Sequence, residues 1–349
     1  MLSAGKGCGG LRKEAEISVR STAGVRRALL PIACVLTACG CGGSGDGLAP
    51  AAEPARSPPL EAKPVGRVVP VGHKPEGLVF DRRTGLLAVA LTRPDGLALV
   101  DGRTGRTIRR VALPGAARHL APAPPGGQVL VPAEDSDELV VVSLPVGRLH
   151  VTRVGRQPHA AVAVGGRFFV GNERDRSVSV LEGGRELRRL EAPVGPGGLA
   201  VTRRGLVAVV GVRERAIEVF DAITLASRGR IPVGLGPTHV VARGERFFVV
   251  DTRGNGLVEV LPDPLRIHRR THLEGAPYGI AYDRRRRRFW VTLTASNRVA
   301  ELTDRRVLRT FPTVRQPNSV AVDPESGRVF VASRKDGVLQ LFDPPPYVQ

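Results

Sequence analysis

Seven positions about forty residues apart carry the chemistry open to this chain: Glu76, His119, His159, Gly197, Thr238, Tyr278 and Asn318. Each follows the Pro, or its equivalent, of a Gly-x-x-Pro-like turn. His239 directly follows Thr238, and His73 lies inside the first turn. A Glu and two His on consecutive repeats are donor types for a divalent metal and for a general acid and base. Glu76, His119 and His159 are therefore the candidate catalytic or metal-ligating residues. Thr238, His239, Tyr278 and Asn318 extend them into a candidate binding ring. The plainer reading is that the histidines cap turns and bond channel water, because no ligand spacing here is diagnostic.

A second tier of polar residues falls between the inner strands of each repeat: Arg93 and Asp95, Glu134 and Asp135, residues 172–175, 213–215, Arg253, Ser296 and Asn297, and 334–336. Their arginines suit a carboxylate or phosphate ligand, or pairing with the acids beside them. The chain has no Gly-x-Ser-x-Gly elbow, HExxH helix, P-loop or Cys-x-x-Cys-His haem site. No cofactor is implied by a motif, and a divalent metal enters only through Glu76, His119 and His159.

The elements that position these residues follow from the repeat. The turns reach residues 75, 118, 158, 196, 237, 277 and 317, spaced by 43, 40, 38, 41, 40 and 40. A period near 40 with four strand-like runs per unit marks a β-propeller blade. The runs are β-branched or aromatic, as in Arg246-Phe247-Phe248-Val249-Val250 and Arg288-Phe289-Trp290-Val291, and lack helical spacing. The predicted sixth blade has strands at 279–282, 288–293, 298–302 and 307–311. The last repeat supplies three strands and then runs into Pro344-Pro345-Pro346, which cannot continue a sheet. Residues 66–72 resemble an orphan fourth strand. The expected fold is all-β: a seven-bladed propeller of four-stranded antiparallel blades, the last closed by the N-terminal strand, which leaves no dangling edge. Strand a of each blade lines the axial channel, and the d–a and b–c turns open on one face.

Trp290-Val291-Thr292-Leu293, Phe169-Val170-Gly171-Asn172 and Phe330-Val331-Ala332-Ser333 resemble the repeat tetrad of the YVTN-repeat propellers, with Trp or Phe in place of Tyr. The resemblance covers residues 65–343. That family consists of secreted or surface seven-bladed proteins related to lactonase-like and nitrite-reductase-like propellers. The resemblance implies blade type more than activity.

At the N-terminus, Arg26-Arg27 precede a short apolar run, 28–37, ending Leu36-Thr37-Ala38-Cys39. This resembles a bacterial lipoprotein signal and is too short to span a bilayer as a helix. It implies removal of residues 1–38, lipidation of Cys39 and a place in the cell envelope, outside the cytoplasm. Ordinary secretion with a free Cys39 is the other reading. Residues 1–24 form a long extension, and translation from Val25 would give a more compact signal. Residues 39–64, rich in Gly, Ala and Pro, read as a flexible tether, and residues 65–349 as the propeller. All four cysteines (Cys8, Cys34, Cys39, Cys41) precede the propeller, which therefore has no disulfide, thiolate metal site or cysteine nucleophile.

Formal charge is +19, with 5 Lys against 47 Arg. Such a skew follows from GC-rich coding and does not argue for nucleic acid. The few aromatic residues sit inside strands, so no stacking platform for single strands exists. Arg284 to Arg288 form a basic run in an a–b hairpin, opposite the Pro turns. It reads as a solvated loop or as an attachment patch for anionic lipid or polyanion. Two classes of function remain. The economical one is a monomeric surface propeller binding a protein, peptide or glycan through its turn-rich face. The alternative is a lactonase- or lyase-type enzyme using Glu76, His119 and His159.

Overall fold

The computed structural model describes residue 48 and residues 50–346. Twenty-eight strands pair into seven four-stranded antiparallel sheets, and no described residue is helical. Six sheets take their strands in chain order. The seventh is ordered Pro317–Val322, Val329–Ser333, Val338–Phe342 and finally Arg67–Pro70. Arg67 faces Leu341 and Pro70 faces Val338, so the N-terminal strand completes the last blade as its sequence suggests. The sixth blade matches expectation in its b and c strands. Its first and fourth strands extend to Pro277–Asp283 and Val307–Pro312.

Consecutive residues of a strand point to opposite faces, so each inner strand feeds two interfaces between blades. Phe247 joins the cluster with Ile217 and Val219 of blade 4, whereas Phe248 packs with Phe289 and Ala300 of blade 6. Trp290 turns the other way, onto Val320 and Phe342 of blade 7. The b and c strands are thus almost wholly buried, and the outer d strands, such as Arg185–Glu191, stay exposed and charged.

Closure of the ring also rests on a buried amide. The Gln340 side-chain amide donates from Nε2 to the carbonyls of Val65 (2.8 Å) and Pro312 (3.1 Å), while the Val314 N–H donates to its Oε1 (3.0 Å). One side chain therefore ties the N-terminal segment, blade 6 and blade 7 together.

Residues 51–58, expected within a flexible tether, instead lie against the propeller. The Ala55 N–H donates to Thr294 Oγ1 and the Ser57 N–H to Gln316 Oε1, both at 3.0 Å. Gln316 Nε2 donates back to the Ala55 carbonyl (2.9 Å) and Asn297 Nδ2 to the Pro58 carbonyl (3.0 Å). Ala52 and Ser57 are buried. Composition alone reads as coil here, because the partners sit more than 200 residues away in the chain. Cys39 and the signal segment 1–38 lie outside the described residues.

Candidate functional site at the channel mouth

The d–a turns share a backbone device. In five of them the residue before Pro has positive φ: Lys74 (45°), Gln157 (54°), Gly195 (71°), Ala276 (53°) and Gln316 (55°). The reversal turns the chain sharply into strand a and leaves the next side chain at the mouth. Below it, strands a line an axial cavity of about 450 Å³ with apolar residues such as Val79, Ala161, Ala200, Val241 and Ala281.

The mouth is spanned by rings from four blades. His119 of blade 2 meets His159 of blade 3 with centroids 4.4 Å apart, and reaches across to His239 of blade 5 at 4.5 Å. His239 in turn meets Tyr278 of blade 6 at 4.6 Å, edge to face. These four predicted residues therefore form one continuous group. His239 Nδ1 is buried, with no hydrogen-bond partner among the described residues.

Glu76 does not join them. Its carboxylate takes a hydrogen bond from Arg334 Nε (2.9 Å) and lies 3.7 Å from Arg118 Nε. Among the described residues no group of three His, Cys, Asp or Glu side chains is arranged to hold a metal ion. The expected grouping of Glu76 with His119 and His159 is corrected accordingly: two arginines compete for its carboxylate. The acid that serves the histidines is Glu134, from the second tier. Its Oε1 is 2.7 Å from His159 Nδ1, close enough for a charge pair though poorly aligned as a hydrogen bond, and Glu173 follows at 3.5 Å. Thr238 and Asn318 serve the scaffold. Thr238 Oγ1 bonds Thr252 Oγ1 (3.0 Å), and Asn318 Oδ1 accepts from Gln316 Nε2 (3.1 Å). His73 Nδ1 ties its turn to the b–c turn of the same blade through the Thr92 carbonyl (2.9 Å).

Arg118 is the residue that sequence reasoning passed over, because it occupies the place of a turn proline. It sits among Glu76, Glu134 and Glu53 of the N-terminal segment, the last at 3.2 Å. Burial opposes its charge, but these neighbours and the Tyr278 hydroxyl hold its pKa above the ordinary range.

The three histidines are split electrically. Burial, then the charges of His159, His239 and Arg118, press His119 well below the ordinary 6.5. Burial, then the charges of His159 and Arg118, bring His239 down to about 3. Burial also opposes charge on His159, but Glu134 and then Glu173 outweigh it and raise its pKa. Near neutral pH the mouth thus holds two neutral imidazoles beside one paired with carboxylates. Tyr278 is raised by burial, so its hydroxyl stays protonated and can donate.

No family model matches this chain, and no curated protein matches it in sequence. Solved structures do resemble it. Hydrazine synthase from Kuenenia stuttgartiensis aligns at TM-score 0.68 and 15% identity, covering 78% of this chain and 96% of that one. Virginiamycin B lyase from Staphylococcus aureus aligns at TM-score 0.68 and 13% identity, covering 79% and 98%. A catalytically inactive form of that lyase, with one histidine replaced by alanine, has been solved with quinupristin. The propeller domain of Cps50 (Swd1) from Myceliophteria thermophila aligns at TM-score 0.67 and 11% identity, covering 80% and 99%. At such identities the likeness extends to the fold, and the chain is a seven-bladed β-propeller.

Proposed function

We propose that this chain is an envelope lipoprotein of the YVTN-repeat type, carried on acylated Cys39, that binds a protein, peptide or glycan at its channel mouth. The observation that carries this reading is the joining of His119, His159, His239 and Tyr278 from four blades over an apolar cavity. Aromatic and imidazole faces beside an arginine suit a partner with both apolar and anionic groups.

The test is photo-crosslinking in intact cells from two exposed positions. Leu235 (61% exposed) lies in a d–a turn at the mouth, and Ile223 (80% exposed) in a c–d turn on the opposite face. A discrete adduct from Leu235 and none from Ile223 supports the reading. Equal adducts from both faces contradict it. Labelling with a fatty-acid analogue that is lost in Cys39→Ala checks the anchor, and persistence of label in that variant rejects it.

A second reading is favoured by one contact. His159 held by Glu134 is the pairing that makes an imidazole a proton acceptor, and a structural neighbour is a lyase with a histidine needed for catalysis. Incubation with quinupristin, followed by chromatography, tests it. Conversion that disappears in His159→Ala supports the enzyme, and unchanged quinupristin rejects activity on that class of compound.

A further inference from the structure

On the face opposite the mouth, the a–b and c–d turns of blades 4, 5 and 6 enclose a groove of about 1530 Å³. Eight arginines line it against four carboxylates, an excess of four positive charges. Three of those arginines are spoken for: Arg228 pairs with Asp221 (2.7 Å), Arg243 with Asp304 (3.1 Å) and Arg246 with Glu259. The other five, Arg203, Arg204, Arg284, Arg287 and Arg305, have no carboxylate within 4.0 Å among the described residues. Of the remaining acids in the groove, Glu245 accepts only the Arg204 backbone N–H, at 3.4 Å.

The basic run read in the sequence therefore divides. Arg285 pairs with Glu325, Arg286 with Asp283 (3.1 Å) and the carbonyl of Ser326 (2.8 Å), and Arg288 lies 3.7 Å from Glu301. These three brace blade 6 against blade 7 or within itself. Arg284 and Arg287 turn instead into the groove, where arginines from two neighbouring blades join them. No local sequence pattern shows this, because the five free guanidinium groups come from two repeats, blades 4 and 6, that are not consecutive in the chain.

We infer that this groove binds a soluble polyanion built of linked phosphate groups, an oligophosphate chain. Five like charges facing one concavity repel each other, and a ligand of high negative charge density among them offsets that repulsion. A concave wall of low dielectric also concentrates their field. Guanidinium forks match phosphate oxygens two at a time, and a chain of phosphates offers such oxygens along its length. A recess, unlike a flat basic patch, does not suit a planar bilayer. The groove lies at the opposite end of the channel from the histidine group, shares Val201, Ala242, Tyr282 and Arg284 with the wall of the axial cavity, and needs neither Cys39 nor the histidines.

The test measures binding of inorganic polyphosphate to the full chain by calorimetry at low and at near-physiological salt. The expected result is binding that weakens with salt and falls at least about tenfold in Arg203→Gln/Arg287→Gln/Arg305→Gln. A control triple, Arg148→Gln/Arg185→Gln/Arg188→Gln, removes the same charge from exposed outer strands and is expected to keep the affinity. Both triples should melt like the parent, since none of the six residues has an ion-pair partner among the described residues. Equal loss in the two triples would reduce the effect to net charge and overturn the inference. Absence of polyphosphate binding would overturn it too, as would binding confined to vesicles containing anionic phospholipid.

Discussion

His159 Nδ1 stands 2.7 Å from the Glu134 carboxylate, and that contact sets its titration apart from those of the two histidines beside it. Stability should follow pH with opposing contributions. The folded pKa of His159 is raised, so its stabilising share is complete below about 6.5 and fades as pH rises through the folded value. Those of His119 and His239 are lowered, so their share is complete above about 6.5 and fades on acidification. An imidazole NMR titration should show His159 titrating above the ordinary value, His119 below it, and His239 still neutral at pH 5. In Glu134→Gln the first should drop, because burial then acts with less opposition. Three titrations clustered near 6.5 would disprove the split.

The segment 51–58 should behave as part of the propeller. The amides of Ala55 and Ser57 donate to Thr294 and Gln316, so both should exchange slowly with solvent. Gln316→Ala removes one of these acceptors and the donor to the Ala55 carbonyl. It should speed exchange at Ser57 and cost about 1–2 kcal/mol. Exchange at the rate of an unstructured peptide in the parent would show that the segment is not held.

Closure through the N-terminal strand should depend on Gln340. Gln340→Leu keeps the volume but leaves the Val314 N–H and the Val65 carbonyl without their side-chain partner. Denaturant unfolding should show a loss of about 2–3 kcal/mol. A variant as stable as the parent would mean that the strand pairing of Arg67–Pro70 closes the ring unaided.

Trp290 is the largest fully buried side chain, with Phe311 and Phe342 at centroid distances of 5.8 and 6.0 Å. Trp290→Ala should cost about 3–5 kcal/mol, seen as a lower midpoint in denaturant, because the interface of blades 6 and 7 cannot collapse onto the gap.

The fold was legible because each blade repeats one message. Phe247-Phe248 and Phe289-Trp290 announce strands buried on both faces, and the proline triplet at 344–346 announces a missing strand. The site was legible in part. A fixed turn brings His119, His159, His239 and Tyr278 to the mouth whatever lies between them. Which acid meets which base was not legible, since it depends on the direction of individual side chains. Arg118 and Arg334 draw Glu76 away, and Glu134 takes the place expected of it. The hold on residues 51–58 was hidden as well, because its donors and acceptors come from distant turns.

The central claim is that recognition takes place on the histidine group over the channel. The most direct measurement is the yield of the Leu235 crosslink in a His119→Ala/His239→Ala chain that melts like the parent. The account predicts a fall of about tenfold or more, as expected when about 1.4 kcal/mol or more of contact is lost. An undiminished yield from a folded double variant would contradict it.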